Sequence, residues 1–229
     1  VMKNQYSELN ELGWNDWFAQ RANCKSTESV ARVAAVGRDQ LLLVDQSGHF
    51  RAKLAGRYLH HHHLNQELPC VGDWVCVEKQ SGDDFGVIHT LLERRTSLRR
   101  KSAGNIMEYQ MIAANVDYVL IVQSCHFDFN SNRLERYLVM VLEGGAEPIV
   151  VLTKTDLVAP EVLATQLAEI QAAGITAPIV PLSNVTQDGL DEVKRLLLPG
   201  KTYCFVGSSG VGKSTLVNLL VGRERMETR

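Results

Sequence analysis

No Cys-x-x-Cys pair occurs in the 229 residues, and the five cysteines, at positions 24, 70, 76, 125 and 204, are scattered. Such spacing implies neither a disulfide framework nor a zinc site, and it fits a reduced, cytoplasmic setting. No apolar run is long enough to cross a membrane, and Glu8, Glu11 and Asp16 are unlike the basic opening of a signal peptide, so no membrane partner is expected. A strong charge of one sign is also lacking. The formal net charge of −2 excludes indiscriminate binding to polyanions by the chain as a whole, and any contact with nucleic acid must use local patches. What remains has the composition of an ordinary globular protein, long enough for about two domains.

Against that plain background one motif stands out. Gly207-Ser208-Ser209-Gly210-Val211-Gly212-Lys213-Ser214-Thr215 is a complete phosphate-binding loop, preceded by an apolar strand candidate, Thr202 to Val206, and continued by a helix from Lys213 to Leu220. Glycines at 207, 210 and 212 let backbone N–H groups close around phosphate oxygens, and the positive end of the helix adds to the attraction. Lys213 is expected to reach the β- and γ-phosphates, where it answers transition-state charge, and the Ser214 hydroxyl to ligate Mg²⁺.

Upstream, Pro148 to Leu152 reads as a buried parallel strand and is followed at once by Thr153-Lys154-Thr155-Asp156. This tetrapeptide resembles the guanine-reading motif of GTPases. The Asp156 carboxylate can accept from both the N1–H and the exocyclic amine of guanine, a donor pair that adenine lacks, while the Lys154 stem lies against the base. Thr153 stands where Asn is commoner, so one supporting contact is expected to be lost. A third strand, Ala177 to Leu182, ends in Ser183-Asn184. That pair loosely resembles the turn that offers a backbone N–H to guanine O6, and it equally fits a plain turn before the helix Gly189 to Leu198.

From Val116 onward, strands (118–122, 148–152, 177–182, 202–206) alternate with helices (132–144, 160–173, 189–198), which argues a parallel, doubly wound sheet. The guanine-reading segment precedes the phosphate loop, the reverse of the usual order, as in a circular permutation joined through Leu198-Pro199-Gly200-Lys201. Between Ser29 and Leu92 the pattern changes to five short strand candidates (30–36, 40–44, 49–54, 73–78 and 85–91) with Gly-containing turns, suited to a small barrel of the oligonucleotide-binding type. The fold class expected is thus α/β plus all-β.

With its motif order, its β-rich segment around Pro69-Cys70-Val71-Gly72-Asp73-Trp74-Val75 and its basic link Glu93 to Lys101, nearly the whole chain resembles the circularly permuted GTPases of the RsgA (YjeQ/YloQ) family. The resemblance implies a GTP-hydrolysing factor that assists maturation of the small ribosomal subunit, binds its rRNA, uses GTP/GDP and Mg²⁺, and works as a cytoplasmic monomer. It divides the chain into an N-terminal extension (1–28), an oligonucleotide-binding barrel (29–93), a basic linker (94–104) and a permuted GTPase domain (105–229). Family members carry a further zinc-binding domain, so Zn²⁺ is expected only outside this chain. The switch threonine and the Asp-x-x-Gly strand end should follow the phosphate loop, and Asp45-Gln46-Ser47-Gly48 and Asp83-Asp84-Phe85-Gly86 read instead as hairpin turns. A C-terminally shortened chain, inactive by itself, is the expectation.

Several other features admit two readings. Arg94, Arg95, Arg99, Arg100 and Lys101 are either RNA-phosphate contacts or a solvated linker. In the barrel, Phe50, Tyr58 and Trp74 with Arg51, Lys53 and Arg57 are either stacking platforms in a basic groove or half-buried aromatics beside solvated cations. His60 to His63 need not converge on one ion, and Leu9, Leu12, Trp14, Trp17 and Phe18 suit packing on the barrel. Two competing functions remain. A P-loop kinase or ATPase leaves Asp156 unexplained, and a non-catalytic RNA-binding module with a degenerate nucleotide fold leaves Lys213 and Ser214 unexplained.

Overall fold

The computed structural model describes residues 7–61, 64–79, 85–101, 109–222 and 226. The chain forms two compact units, Val1–Asp117 with Pro199–Thr202, and Tyr118–Leu198 with Tyr203–Arg229.

In the first unit a short helix α1 (Asp16–Ala19) precedes β1 (Ser29–Val36), β2 (Leu41–Asp45), β3 (Gly48–Leu54), helix α2 (Gly56–His61), β4 (Trp74–Lys79) and β5 (Phe85–Leu91). The five strands close into a barrel in the order β1-β2-β3-β5-β4. Alternation along each strand sends Val33, Leu43, Phe50, Val75, Val77 and Ile88 inward to one apolar core. The turn at Asp45–Gly48 is a hairpin, with those two residues paired across β2 and β3. Asp83 and Asp84, like His62 and His63, lie outside the described residues.

The N-terminal segment packs as expected. Leu9, Trp14 and Phe18 are buried against Trp74 and Leu92, with Trp14 set edge-on to Trp74 at a centroid distance of 4.8 Å. One expectation fails here. Cys24 of this segment is disulfide-bonded to Cys76 of β4, with 5.4 Å between their Cα atoms. Fifty-two residues of separation conceal the proximity in sequence, because only the folding of the segment over β4 brings the sulfurs together.

The stretch from 94 to 101 is not an open linker either, and 102–104 lie outside the described residues. Ser97–Lys101 forms β6, which pairs antiparallel with β7 (Tyr109–Ala114), and Leu98 is fully buried beneath the ribbon. The unit accordingly runs on to Asp117, past the boundary expected at 104. Three consecutive exposed charges, Arg99, Arg100 and Lys101, mask a strand whose buried residue is Leu98.

The second unit is a four-stranded parallel sheet ordered β10-β9-β8-β11. Its elements follow as β8 (Tyr118–Ser124), α3 (Ser131–Glu143), β9 (Glu147–Thr153), α4 (Pro160–Ala172), β10 (Ile179–Pro181), α5 (Leu190–Leu196), β11 (Tyr203–Val206) and α6 (Lys213–Val221). Val119 to Val122 and Ile149 to Leu152 are buried, as a sheet covered on both faces requires. Helix α3 buries Leu134, Leu138 and Val141 at helical spacing and is capped by the Asn130 side chain accepting from the Arg133 N–H at 2.8 Å. From β8 the chain steps outward through β9 to β10, then returns to the far side of β8 to form β11. The order therefore reverses between β8 and β11. Such a reversal opens a crevice at the carboxyl ends of the strands, where α/β sheets bind ligands.

Candidate nucleotide-binding site

Three segments meet at that carboxyl edge. The loop after β11 turns sharply at Gly207, with φ of +145°, and a Cβ there would lie 2.2 Å from the Val122 carbonyl oxygen. Only glycine fits. Val211 anchors the loop from below, fully buried among Leu120, Val122 and Leu216. Gly212, with φ of +95°, leads into α6, and a Cβ on it would stand 2.5 Å from Asn184 Nδ2. Lys213 folds back over the loop and donates to the carbonyls of Gly207 and Ser208, at 2.9 and 2.6 Å. Desolvation lowers its pKa, against the opposing pull of the Asp128 carboxylate.

The second segment begins with Thr153 at the end of β9. Its buried hydroxyl lies 2.6 Å from the Val211 carbonyl and 3.2 Å from that of Gln123. The expected lost contact is thus replaced by a direct tie from β9 to the phosphate loop. Lys154 then takes the left-handed conformation (φ +62°), with its ammonium 4.4 Å from the centre of the Phe127 ring, and a turn from Thr155 to Leu157 presents Asp156 to solvent.

Ser183 opens the turn in the third segment. Its hydroxyl donates to Asp156 Oδ1 at 2.6 Å and accepts from the N–H groups of Val185 and Thr186, both at 3.1 Å. It is at once the turn residue and the support of the carboxylate. Asn184 Nδ2 donates to the Gly212 carbonyl at 3.1 Å, joining this turn to the phosphate loop.

The three segments enclose a cavity of about 450 Å³, lined by Lys154, Asp156 and Asn184 on one side and by Ser209, Gly210, Gly212, Lys213, Ser214 and Thr215 on the other. Thr155 and Ser208 belong to the same loops but do not line the cavity. Two lining residues escaped the sequence reading, Leu157 and Val185, which are 53% and 80% exposed. Their position directly after Asp156 and Asn184 is the available signal. Gln123 was also missed. Its amide bonds the Asn130 backbone twice, at 3.2 Å, and so fixes the loop that carries Phe127 and Asp128.

The RsgA GTPase family description matches residues 91–229. The chain belongs to the RsgA GTPase family. It is 39% identical over 96% of its length to a small ribosomal subunit biogenesis GTPase RsgA of Opitutus terrae, and 40% identical to the protein so named from Syntrophotalea carbinolica. The chain spans 62% of the length of each of these RsgA proteins. Among solved structures it is similar to YjeQ from Thermotoga maritima, with a TM-score of 0.68, 26% identity, and coverage of 88% of this chain and 67% of that one. YloQ, described as a circularly permuted GTPase, shares the fold with a TM-score of 0.62, over 86% of this chain and 66% of its own. The inverted motif order thus sits on the permuted fold of the RsgA family.

The RNA candidates are distributed differently from expectation. Arg94 donates to both oxygens of buried Asp73, at 2.8 and 2.7 Å, and to the carbonyls of Leu68 and Gln66. Arg95 pairs with Asp117. The guanidinium of Arg94 is thus fully engaged, whereas Arg95 commits one nitrogen to Asp117 and stays partly exposed. Arg99, Arg100 and Lys101 are exposed on β6, Arg99 lying over the Tyr109 ring and Arg100 bonded to Gln110. Phe50, Tyr58 and Trp74 are buried, which removes them as stacking platforms, while Arg51, Lys53 and Arg57 are exposed. Phe50 fills the barrel core, Trp74 packs with Trp14 and Phe18, and Tyr58 of α2 donates its hydroxyl to the Glu67 carbonyl at 2.7 Å.

Proposed function

We propose that this chain binds guanine nucleotides in the cavity between Asp156 and Lys213, and that the protein hydrolyses GTP in the maturation of the small ribosomal subunit. One observation carries the nucleotide assignment. The Ser183 hydroxyl holds the Asp156 carboxylate at the mouth of a cavity whose other wall is the phosphate loop. A carboxylate fixed there accepts the N1–H and exocyclic amine of guanine, Leu157 and Val185 offer apolar surface to the faces of the ring, and the Lys154 stem covers its edge. On the opposite wall, backbone N–H groups from Ser209 to Ser214 and the Lys213 ammonium receive the phosphates. The cradle suits this, since its curve brings Gly207 against the Val122 carbonyl and Gly212 against the Asn184 amide, closer than a Cβ allows. Ser214 lines the cavity at the start of α6 and supplies the oxygen that would hold Mg²⁺ brought with the nucleotide. Such an ion neutralises charge on the phosphate oxygens.

The small ribosomal subunit biogenesis for which these relatives are named supports the ribosomal part of the reading, and a ribosome-assembly role carries a cytoplasmic setting with it. Among the described residues no helix is long and apolar enough to cross a membrane. For rRNA, the exposed cations of β6, Arg99, Arg100 and Lys101, are the contacts we propose.

The test is Asp156→Asn, titrated with GDP, XDP and ADP. An amide N–H₂ then faces the exocyclic amine of guanine, donor against donor, whereas xanthine offers a carbonyl there. GDP affinity is expected to fall by roughly 5- to 150-fold, the range given by a cost of about 1–3 kcal/mol, while XDP affinity rises. Equal losses for all three nucleotides would remove the guanine assignment.

A further inference from the structure

The bond between Cys24 and Cys76 has a third member. A carboxylate oxygen of Glu28 and the two sulfurs all lie within 4.8 Å of one another. The two sulfurs differ in access, Cys24 being partly exposed and Cys76 fully buried in β4. Glu28 is itself enclosed, its side chain only 3% exposed, and it is held by the Lys25 N–H at 3.0 Å, with the Lys25 ammonium at 4.0 Å. We propose that Cys24, Cys76 and Glu28 form a thiol–disulfide exchange site that latches the N-terminal aromatic segment to the barrel under control of a low-molecular-weight disulfide.

The chemistry follows from access and proximity. In the open form the Cys24 thiolate attacks one sulfur of oxidised glutathione, forming a mixed disulfide and releasing one glutathione thiolate. The Cys76 thiol then attacks the Cys24 sulfur. Its proton passes to the Glu28 carboxylate, the bond between Cys24 and glutathione breaks, and a second glutathione thiolate leaves. Glu28 returns the proton to solvent. Two protein thiols are oxidised and one glutathione disulfide is reduced to two thiols. Reopening runs the same steps backward, with attack at the accessible Cys24 sulfur.

Other thiols are poor competitors. Burial pushes Cys70 up to about 12 and Cys125 up to about 11, so neither offers appreciable thiolate near neutral pH. The mechanical consequence is local. Trp14 and Phe18 lie on Trp74 through apolar packing, and the closed bond adds a covalent tie four residues beyond Gln20, where α1 ends. In the open form that segment is held without a covalent tie, by its apolar packing, the Arg32 bond to the Leu12 carbonyl and the Arg21–Glu93 pair at 3.3 Å.

Differential alkylation of the reduced protein, incubated with glutathione buffers of increasing oxidised fraction and mapped by peptide mass, tests the site. Cys24 and Cys76 are expected to lose alkylation together and to appear as one linked peptide pair, and Cys24→Ser abolishes the link. Glutathione adducts on either residue without the linked pair, or no loss of alkylation at all, would overturn the latch. Glu28→Gln keeps an acceptor for the Lys25 N–H but no base. It should slow conversion of the mixed disulfide to the linked form by about 10²-fold, the lower end of general-base contributions, and Glu28→Asp should recover part of that loss. Unchanged closure in Glu28→Gln would remove the carboxylate from the mechanism.

Discussion

In the barrel unit, Arg94 gives its donors to Asp73 and to two carbonyls, whereas in the sheet unit Asp156 accepts one hydroxyl and stays exposed along a cavity wall. Arg32 repeats the first pattern. It reaches the carbonyls of Gly72, Asn115 and Leu12, and burial pulls its pKa down to about 10. The difference shows that residue type and clustering do not reveal function until the partners are known. A cation whose donors are already taken braces the fold, and a polar group left open at a strand end meets a ligand.

The strongest way to break this comparison is Arg94→Ala. If the guanidinium is a brace, its loss strands the Asp73 carboxylate, which is fully buried, and stability should fall by about 3–5 kcal/mol in chemical denaturation. A near-neutral result accompanied by weaker RNA binding would return Arg94 to the functional set. A smaller effect is expected from Thr153→Val, which leaves the Val211 carbonyl without its hydroxyl donor at a cost of about 1–3 kcal/mol. Because that carbonyl belongs to the phosphate loop, GDP affinity measured by calorimetry should drop along with stability, and Thr153→Ser should restore both.

For the exposed cations of β6, Arg99→Ala with Arg100→Ala should leave stability within about 0.5 kcal/mol. The same double change should flatten the log–log salt dependence of rRNA binding by about 1 to 2 units. An unaltered slope would make the ribbon's charges mere solvation. The smallest effect concerns Asp117. Burial alone would raise its pKa, but the Thr202 N–H, Arg95 and Lys201 outweigh burial and hold it below the ordinary carboxylate value. A depressed folded-state pKa contributes stability above the unfolded value, near 3.9, that is lost as pH falls through the folded one. Acid titration of unfolding should therefore show Asp117→Asn less stable than wild type at neutral pH, with the gap closing below about pH 4.

Much of this architecture could be read from the chain because local patterns carry it. The barrel strands fall within a residue or two of their expected limits, since alternation of apolar and polar residues is itself the consequence of one buried face. The phosphate loop and Thr153 to Asp156 were legible for the same reason, each being a contiguous run whose chemistry depends on its own spacing. What stayed hidden depends on partners distant in sequence. Nothing near Arg94 announces Asp73, nothing near Cys24 announces Cys76, and the bulge in the β6–β7 pairing between Leu98 and Arg99 breaks the alternation that would have marked a strand. Leu157 and Val185 looked like ordinary loop residues, and only the closing of three loops around one cavity gives them a role.

Lys213 bears on how the site fills. Its ammonium already rests on the carbonyls of Gly207 and Ser208, so the loop keeps its curvature with the lysine as a resident tenant. On the proposed reading an incoming phosphate would not meet a bare charge; it would have to draw the lysine off two carbonyls, trading old hydrogen bonds for new. Part of the attraction is cancelled by that trade. On the proposed reading the two carbonyls would also be there to take the ammonium back when a nucleotide left.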